Sequence, residues 1–139
     1  MTSAFALMAL VIPVLAFAGP VKADALEDYL QIQKLLTQDN FTGVTDAAKL
    51  FSKDVKSYPN GKQIQTEADK LVQATDLAQA RNAFATVSKL MREWAKKTHP
   101  RDTFVAYCPM KEAYWLQKTT KIENPYYGKE MLECGVIEQ

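Results

Sequence analysis

The chain has 139 residues, with 17 Lys and Arg against 16 Asp and Glu and a single histidine. A chain so small and so nearly neutral makes one ordinary domain, and its charge balance argues against nucleic acid or an anionic membrane surface as main partner. One imidazole, at His99, rules out any site that needs several.

Ala4 to Phe17 is an apolar run broken only by Pro13. It is shorter than the roughly 20 residues of a membrane span. Val21-Lys22-Ala23 puts small side chains at the two positions a signal peptidase inspects. Residues 1–23 therefore read as a signal peptide cleaved after Ala23, with Ala16-Phe17-Ala18 as a second candidate. Met1-Thr2-Ser3 has no basic side chain, which keeps a buried first helix as the competing reading. Export is favoured because charge is absent until Lys22 and dense after it. The expected mature chain is 24–139, periplasmic or secreted, with no membrane contact after cleavage. Losing Lys22 brings its formal charge to about zero. An oxidising compartment lets two cysteines pair.

Helical spacing dominates the first part of the mature chain. From Asp24 to Leu36, the side chains Leu26, Tyr29, Leu30 and Leu36 fall on one stripe. Gln38-Asp39-Asn40 breaks it, and Asp39 or Asn40 can cap a second helix. That helix is predicted over about Phe41 to Ser57, with Val44, Ala47, Ala48, Phe51 and Val55 inward. Tyr58-Pro59-Asn60-Gly61 is a turn signal. The stretch from Gln65 to Lys97 changes phase near Thr75-Asp76, where either residue can cap a new helix. Beyond that break, Leu77, Ala80, Phe84, Val87, Met91 and Trp94 form a regular seam. His99-Pro100 closes it. Four helices with short connections predict an all-α, up-down four-helix bundle.

The tail differs in kind. Thr103 to Tyr107 is a short extended run. After it come turn signals at Asn124-Pro125 and Gly128, with only short helical turns expected around Ala113 to Gln117 and Lys129 to Glu133. The expected architecture is thus a bundle with an irregular Cys/Met-containing C-terminal tail packed on it. Both cysteines lie in that tail, Cys108 close to Met110 and Cys134 close to Met131.

Two chemistries compete for these sulfurs. Cys108 and Cys134 can form a disulfide that pins the tail, contributing about 3 to 4 kcal/mol in the chain-entropy model. Alternatively, thiolate and thioether sulfur select Cu(I) or Ag(I) over hard cations. Pro109 stiffens the backbone between Cys108 and Met110, and one helical turn from Met131 to Cys134 would align those two sulfurs. Zinc fits less well, since thioether is a poor zinc ligand and His99 stands alone. Each methionine taken singly also reads as a gap-filler against Trp115 and the tyrosines. His99, at a helix end, reads as a capping or surface residue. No Gly-rich phosphate loop, serine nucleophile elbow or pair of metal-binding histidines occurs, so no enzyme is expected.

Tyr107-Cys108-Pro109-Met110, then Trp115-Leu116, then the run from Ile122 through Asn124-Pro125-Tyr126-Tyr127-Gly128 and Met131 to Cys134-Gly135 resembles a known signature. It is that of a bacterial periplasmic family named domain of unknown function 3347. The upstream half is similar too, in Tyr29, Leu36 and Asp39 and in Arg81 and Phe84. Members occur as small exported proteins and as terminal modules of heavy-metal efflux adaptor subunits. The resemblance implies metal handling, with copper or silver as the metal and an α-helical bundle as the fold. It carries the metal-ligand assignment onto Cys108, Met110, Met131 and Cys134. The expected function is a periplasmic carrier or buffer for Cu(I) in metal homeostasis, delivering to an efflux pump or a copper-receiving protein. The alternative is a disulfide-stapled helical interaction module without metal.

Overall fold

The computed structural model describes residues 24–139. The expected signal peptide, residues 1–23, lies outside the described residues. The chain runs α1 (Ala25–Thr37), α2 (Phe41–Asp54), a 3-10 turn (Val55–Ser57), α3 (Gly61–Val72) and α4 (Leu77–Thr98). Strands β1 (Phe104–Cys108) and β2 (Ala113–Gln117) follow, then a second 3-10 turn (Gly128–Glu130) and β3 (Val136–Ile137). No helix among the described residues is long and apolar enough to cross a membrane.

Short polar side chains start three of the helices, each satisfying a first-turn N–H that has no partner inside the helix. Asp24 accepts from the Leu26 N–H, Asn40 from Gly43 and Asp76 from Gln79. Helix α3 begins at Gly61, earlier than the periodicity from Gln65 predicts. The reason is local: Asn60 takes a left-handed φ of 58°. Gly61 then passes so close to the preceding turn that a Cβ there would lie 2.7 Å from the Lys56 carbonyl oxygen. At the far end, exposed His99 occupies the C-cap of α4 with φ 48° and donates its N–H to the Ala95 carbonyl at 2.8 Å. It caps, as its position predicts.

The helices pack on their sequence neighbours around Tyr29, Phe51 and Phe84, all fully buried. Tyr29 stacks on Phe84 at 5.0 Å and meets Phe51 edge-on at 6.0 Å. Its hydroxyl pairs with Ser88 of α4 at 2.6 Å, and burial pushes that phenol far above its ordinary range. It stays a neutral hydrogen-bonding group at any ordinary pH.

The expected all-α class with an irregular tail is corrected by the region after α4. There the chain forms a three-stranded antiparallel sheet in the order β2-β1-β3. Phe104 faces Gln117 and Cys108 faces Ala113 across the first pair, while Tyr107 faces Val136 across the second. The expected helical turn over Ala113 to Gln117 is strand β2. That over Lys129 to Glu133 is a 3-10 turn placed slightly earlier. Tyr114 and Trp115 suit a pleated surface, but strand pairing is a non-local choice that five residues do not reveal by period. The outer edge of β2 is closed by side chains. The Leu116 N–H donates to the Tyr29 hydroxyl at 3.1 Å, and the Tyr126 hydroxyl donates to the Tyr114 carbonyl. Two tyrosines thus take the place of a fourth strand and satisfy groups that burial would otherwise orphan.

Arg81 locks the tail to the bundle. It donates to the Pro125 carbonyl at 2.9 Å, the Leu36 carbonyl at 3.1 Å and the Asp39 carboxylate at 2.6 Å. Gly128 sits against the same cluster, with φ 54° and no room for a Cβ beside Asp39 and Arg81. Arg81→Ala strands two part-buried carbonyls and a carboxylate. It is expected to destabilise the fold by about 1 to 3 kcal/mol in urea unfolding. An unchanged midpoint would show that water replaces the guanidinium freely.

A second clamp holds the C-terminal strand. Arg92 of α4 pairs with Glu138, and its guanidinium lies 4.0 Å over the Tyr114 ring. Hydrogen bonding from Arg92, with help from Lys96, holds the Glu138 carboxyl below its ordinary range. Because the folded value is depressed, the clamp is fully present above the unfolded glutamate pKa of about 4.3 and is lost as pH falls through the folded value. Partial exposure of Glu138 screens the pair and keeps the effect local. NMR amide shifts of Val136 to Glu138 should therefore move toward random-coil values as pH falls below the ordinary glutamate range. Arg92→Gln should abolish that acid transition.

Candidate functional site

Paired strand residues share a face, and faces alternate along each strand. Ala106 and Cys108 of β1 therefore stand beside Ala113 and Trp115 of β2, while Tyr107 and Tyr114 occupy the opposite face, where Arg92 reaches Tyr114. The first face is covered by the chain between β2 and β3. Gly135 lies so close that a Cβ there would be 2.8 Å from the Trp115 ring, and Tyr126 meets that ring edge-on at 5.9 Å.

Two buried amides shape this covering loop. Gln117 donates to the Thr119 and Lys121 carbonyls at 2.6 and 2.8 Å. Its oxygen accepts from the Trp115 indole at 2.8 Å and the Glu123 N–H at 3.1 Å. Asn124 accepts from the Tyr126 N–H at 2.8 Å and donates to the Cys134 carbonyl at 2.6 Å. From α1, Gln33 donates to the Glu123 carbonyl at 2.7 Å and ties the loop to the bundle. Asn124-Pro125 reads as turn chemistry in the sequence. That its amide reaches ten residues along to Cys134 does not. The role of Gln117 leaves no local signal at all.

The loop brings the cysteines together. Cys108 ends β1 fully buried, and its sulfur accepts the Lys111 N–H from the hairpin turn at 3.4 Å. Continuing the pairing of Tyr107 with Val136 sets Cys108 opposite Gly135, one residue from Cys134. Cys134 is half-buried and neighbours Cys108, with the two sulfurs not at disulfide distance. Both are free thiols, so the expected disulfide is not formed in this structure. Desolvation, followed by the neighbouring Cys108 sulfur, pushes the Cys134 thiol above its ordinary value. Two thiolates side by side repel each other, and a cation shared between them relieves that repulsion.

The methionines are placed differently. Met131 is half-buried, and its carbonyl accepts the Cys134 N–H at 3.2 Å, so the two share a non-helical turn rather than the helical one expected. Met110 stands in the β1–β2 turn with 63% of its surface exposed. Of the four sulfur residues singled out by sequence, the structure sets Cys134 near Cys108, keeps Met131 one turn from Cys134 and leaves Met110 in solvent. Among the described residues no three His, Cys, Asp or Glu side chains gather as a metal site.

The helical part of the chain decides the relationship to other proteins. A family model described as Protein of unknown function (DUF3347) matches residues 25–103. The chain belongs to that family. The DUF3347 match begins at the first residue of α1 and ends just before β1. It therefore rests on the four helices, and the sulfur-bearing tail lies beyond it. No curated protein and no solved structure matches the chain.

Proposed function

We propose that this protein is an exported carrier or buffer for a soft metal ion, Cu(I) or Ag(I), in metal homeostasis. The observation that supports the reading is the proximity of two free thiols, Cys108 at the end of β1 and Cys134 in the loop that covers it. Sulfur pairs suit Cu(I) and Ag(I), whereas structural zinc asks for four ligands. The Lys111 N–H at the Cys108 sulfur adds a donor that is strongest toward an anionic acceptor, the form sulfur takes as a metal ligand. Met131 and Met110 are the flanking thioethers. Exposed Met110 makes first contact with arriving metal or with the receiving protein, an efflux pump or copper acceptor. Because the Cys134 thiol is held protonated, metal uptake releases protons and strengthens as pH rises.

Competition of reduced protein with a chromophoric Cu(I) chelator tests the reading. The wild type should hold Cu(I) in a 1:1 complex that Cys108→Ser, Cys134→Ser protein does not form. Equal affinity of the two proteins for Cu(I) sinks it.

A second reading, a disulfide-stapled interaction module without metal, needs the two neighbouring sulfurs to close further than they stand here. Intact mass of protein taken from its native compartment, with and without alkylation, separates the two. Thiols that resist both alkylation and mild reduction support the staple.

A further inference from the structure

The segment that carries Cys134 is held less by the helices than by one buried amide. We infer that Asn124 is the positioning residue of the thiol pair, its side-chain N–H holding the Cys134 carbonyl so that the two sulfurs converge. The inference rests on the dithiol reading above, though not on which soft metal is carried.

Every polar group of Asn124 is engaged in folding the loop around itself. The side chain is fully buried. Its oxygen accepts from the Tyr126 N–H at 2.8 Å and the Tyr127 N–H at 3.3 Å, which fixes the turn after Pro125. Its nitrogen reaches across to the Cys134 carbonyl at 2.6 Å. The backbone completes the knot, the Asn124 N–H donating to the Leu132 carbonyl at 2.7 Å and the Gly128 N–H donating to the Asn124 carbonyl at 3.2 Å. One residue therefore grips the Cys134 segment at 132 and again at 134. Cys108 needs no such help, because β1 places it. Cys134 lies between a 3-10 turn and a two-residue strand, and regular structure does not determine where its sulfur goes.

Residues that orient a metal ligand without touching the metal typically change affinity by about 10-fold to 100-fold when altered. Asn124→Asp isolates the contact. It keeps the acceptor for Tyr126 and Tyr127 but replaces the donor facing Cys134 with an oxygen. The probe is phenylarsine oxide, which needs two neighbouring thiols: two S–H protons and the arsenic-bound oxygen leave as water while two As–S bonds form, with no redox change. Its binding should weaken by about 10-fold or more in Asn124→Asp, while iodoacetamide modifies Cys134 as fast as in the wild type or faster. Gln33→Ala, which loosens the same loop from α1 without touching Cys134, should weaken binding by less than about 3-fold. The ratio between wild type and Asn124→Asp should shrink as pH falls, because protonating the introduced carboxyl returns a donor toward Cys134. If Asn124→Asp does not fold, Asn124→Ser removes the reach to Cys134 without adding charge and carries the same expectation.

Asn124→Asp binding as tightly as wild type overturns the inference, as does equal weakening in Gln33→Ala, which would mean that general loop stability governs the site. Wild-type protein that binds the arsenical no better than Cys134→Ser refutes the dithiol reading itself, a result separate from either of those.

Discussion

A single Cys108→Ser or Cys134→Ser substitution is expected to weaken Cu(I) binding by more than about 100-fold, the upper end of what merely orienting residues do. That factor corresponds to about 2.7 kcal/mol or more. The two single losses should nearly equal the double loss, since one sulfur without its neighbour cannot share the ion and contacting residues do not act additively. The variants should still differ in kinetics. Cys108 is fully buried and Cys134 half-buried, so thiol reagents should reach Cys134 in Cys108→Ser protein quickly and Cys108 in Cys134→Ser protein slowly. Competition titration under reducing conditions reads the affinities, and alkylation followed by mass spectrometry reads the access. Two single variants that each keep wild-type Cu(I) affinity would end the sulfur-pair proposal.

Trp115→Ala is expected to have the largest effect on stability, about 3 to 5 kcal/mol. Trp115 is fully buried at the centre of β2. Its ring supports Gly135 on one side and meets Tyr126 edge-on, and its N–H satisfies Gln117. Truncation leaves a cavity under the loop and removes one partner from a buried amide, two penalties that add. A melting temperature lower by more than about 10 °C should follow for a domain of this size. Because Gly135 adjoins Cys134, the same change should speed alkylation of Cys134 at temperatures where the helices remain folded. Trp115→Phe should recover part of the stability but not the hydrogen bond. A loss under about 1 kcal/mol in Trp115→Ala would mean that the loop collapses to fill the space.

The helices were legible because their information is local. Tyr29, Leu36, Val44, Phe51, Phe84 and Met91 are all fully buried, as their spacing predicts. Asp76 caps α4 at the break that a change of phase marks. The exception is the start of α3, where a left-handed Asn60 and a cramped Gly61 matter more than any apolar period. The tail was legible only in composition. Its sulfurs, aromatics and turn residues are visible in order, but a two-residue strand such as Val136–Ile137 has no period of its own. β3 exists because β1 offers it an edge and Arg92 clamps Glu138 beside it.

The amino-acid sequence by itself determined four amphipathic helices, the caps that start the second and the fourth, and the presence of two cysteines in a tail unlike the rest. Periodicity and capping depend on neighbours within a turn or two, so they survive without the fold. Only the tertiary structure decided that the tail is a sheet, that Tyr29 and Tyr126 close its edge, and that the Asn124 amide holds the Cys134 carbonyl. Those choices join residues far apart along the chain through hydrogen bonds whose partners must be buried together before either is satisfied.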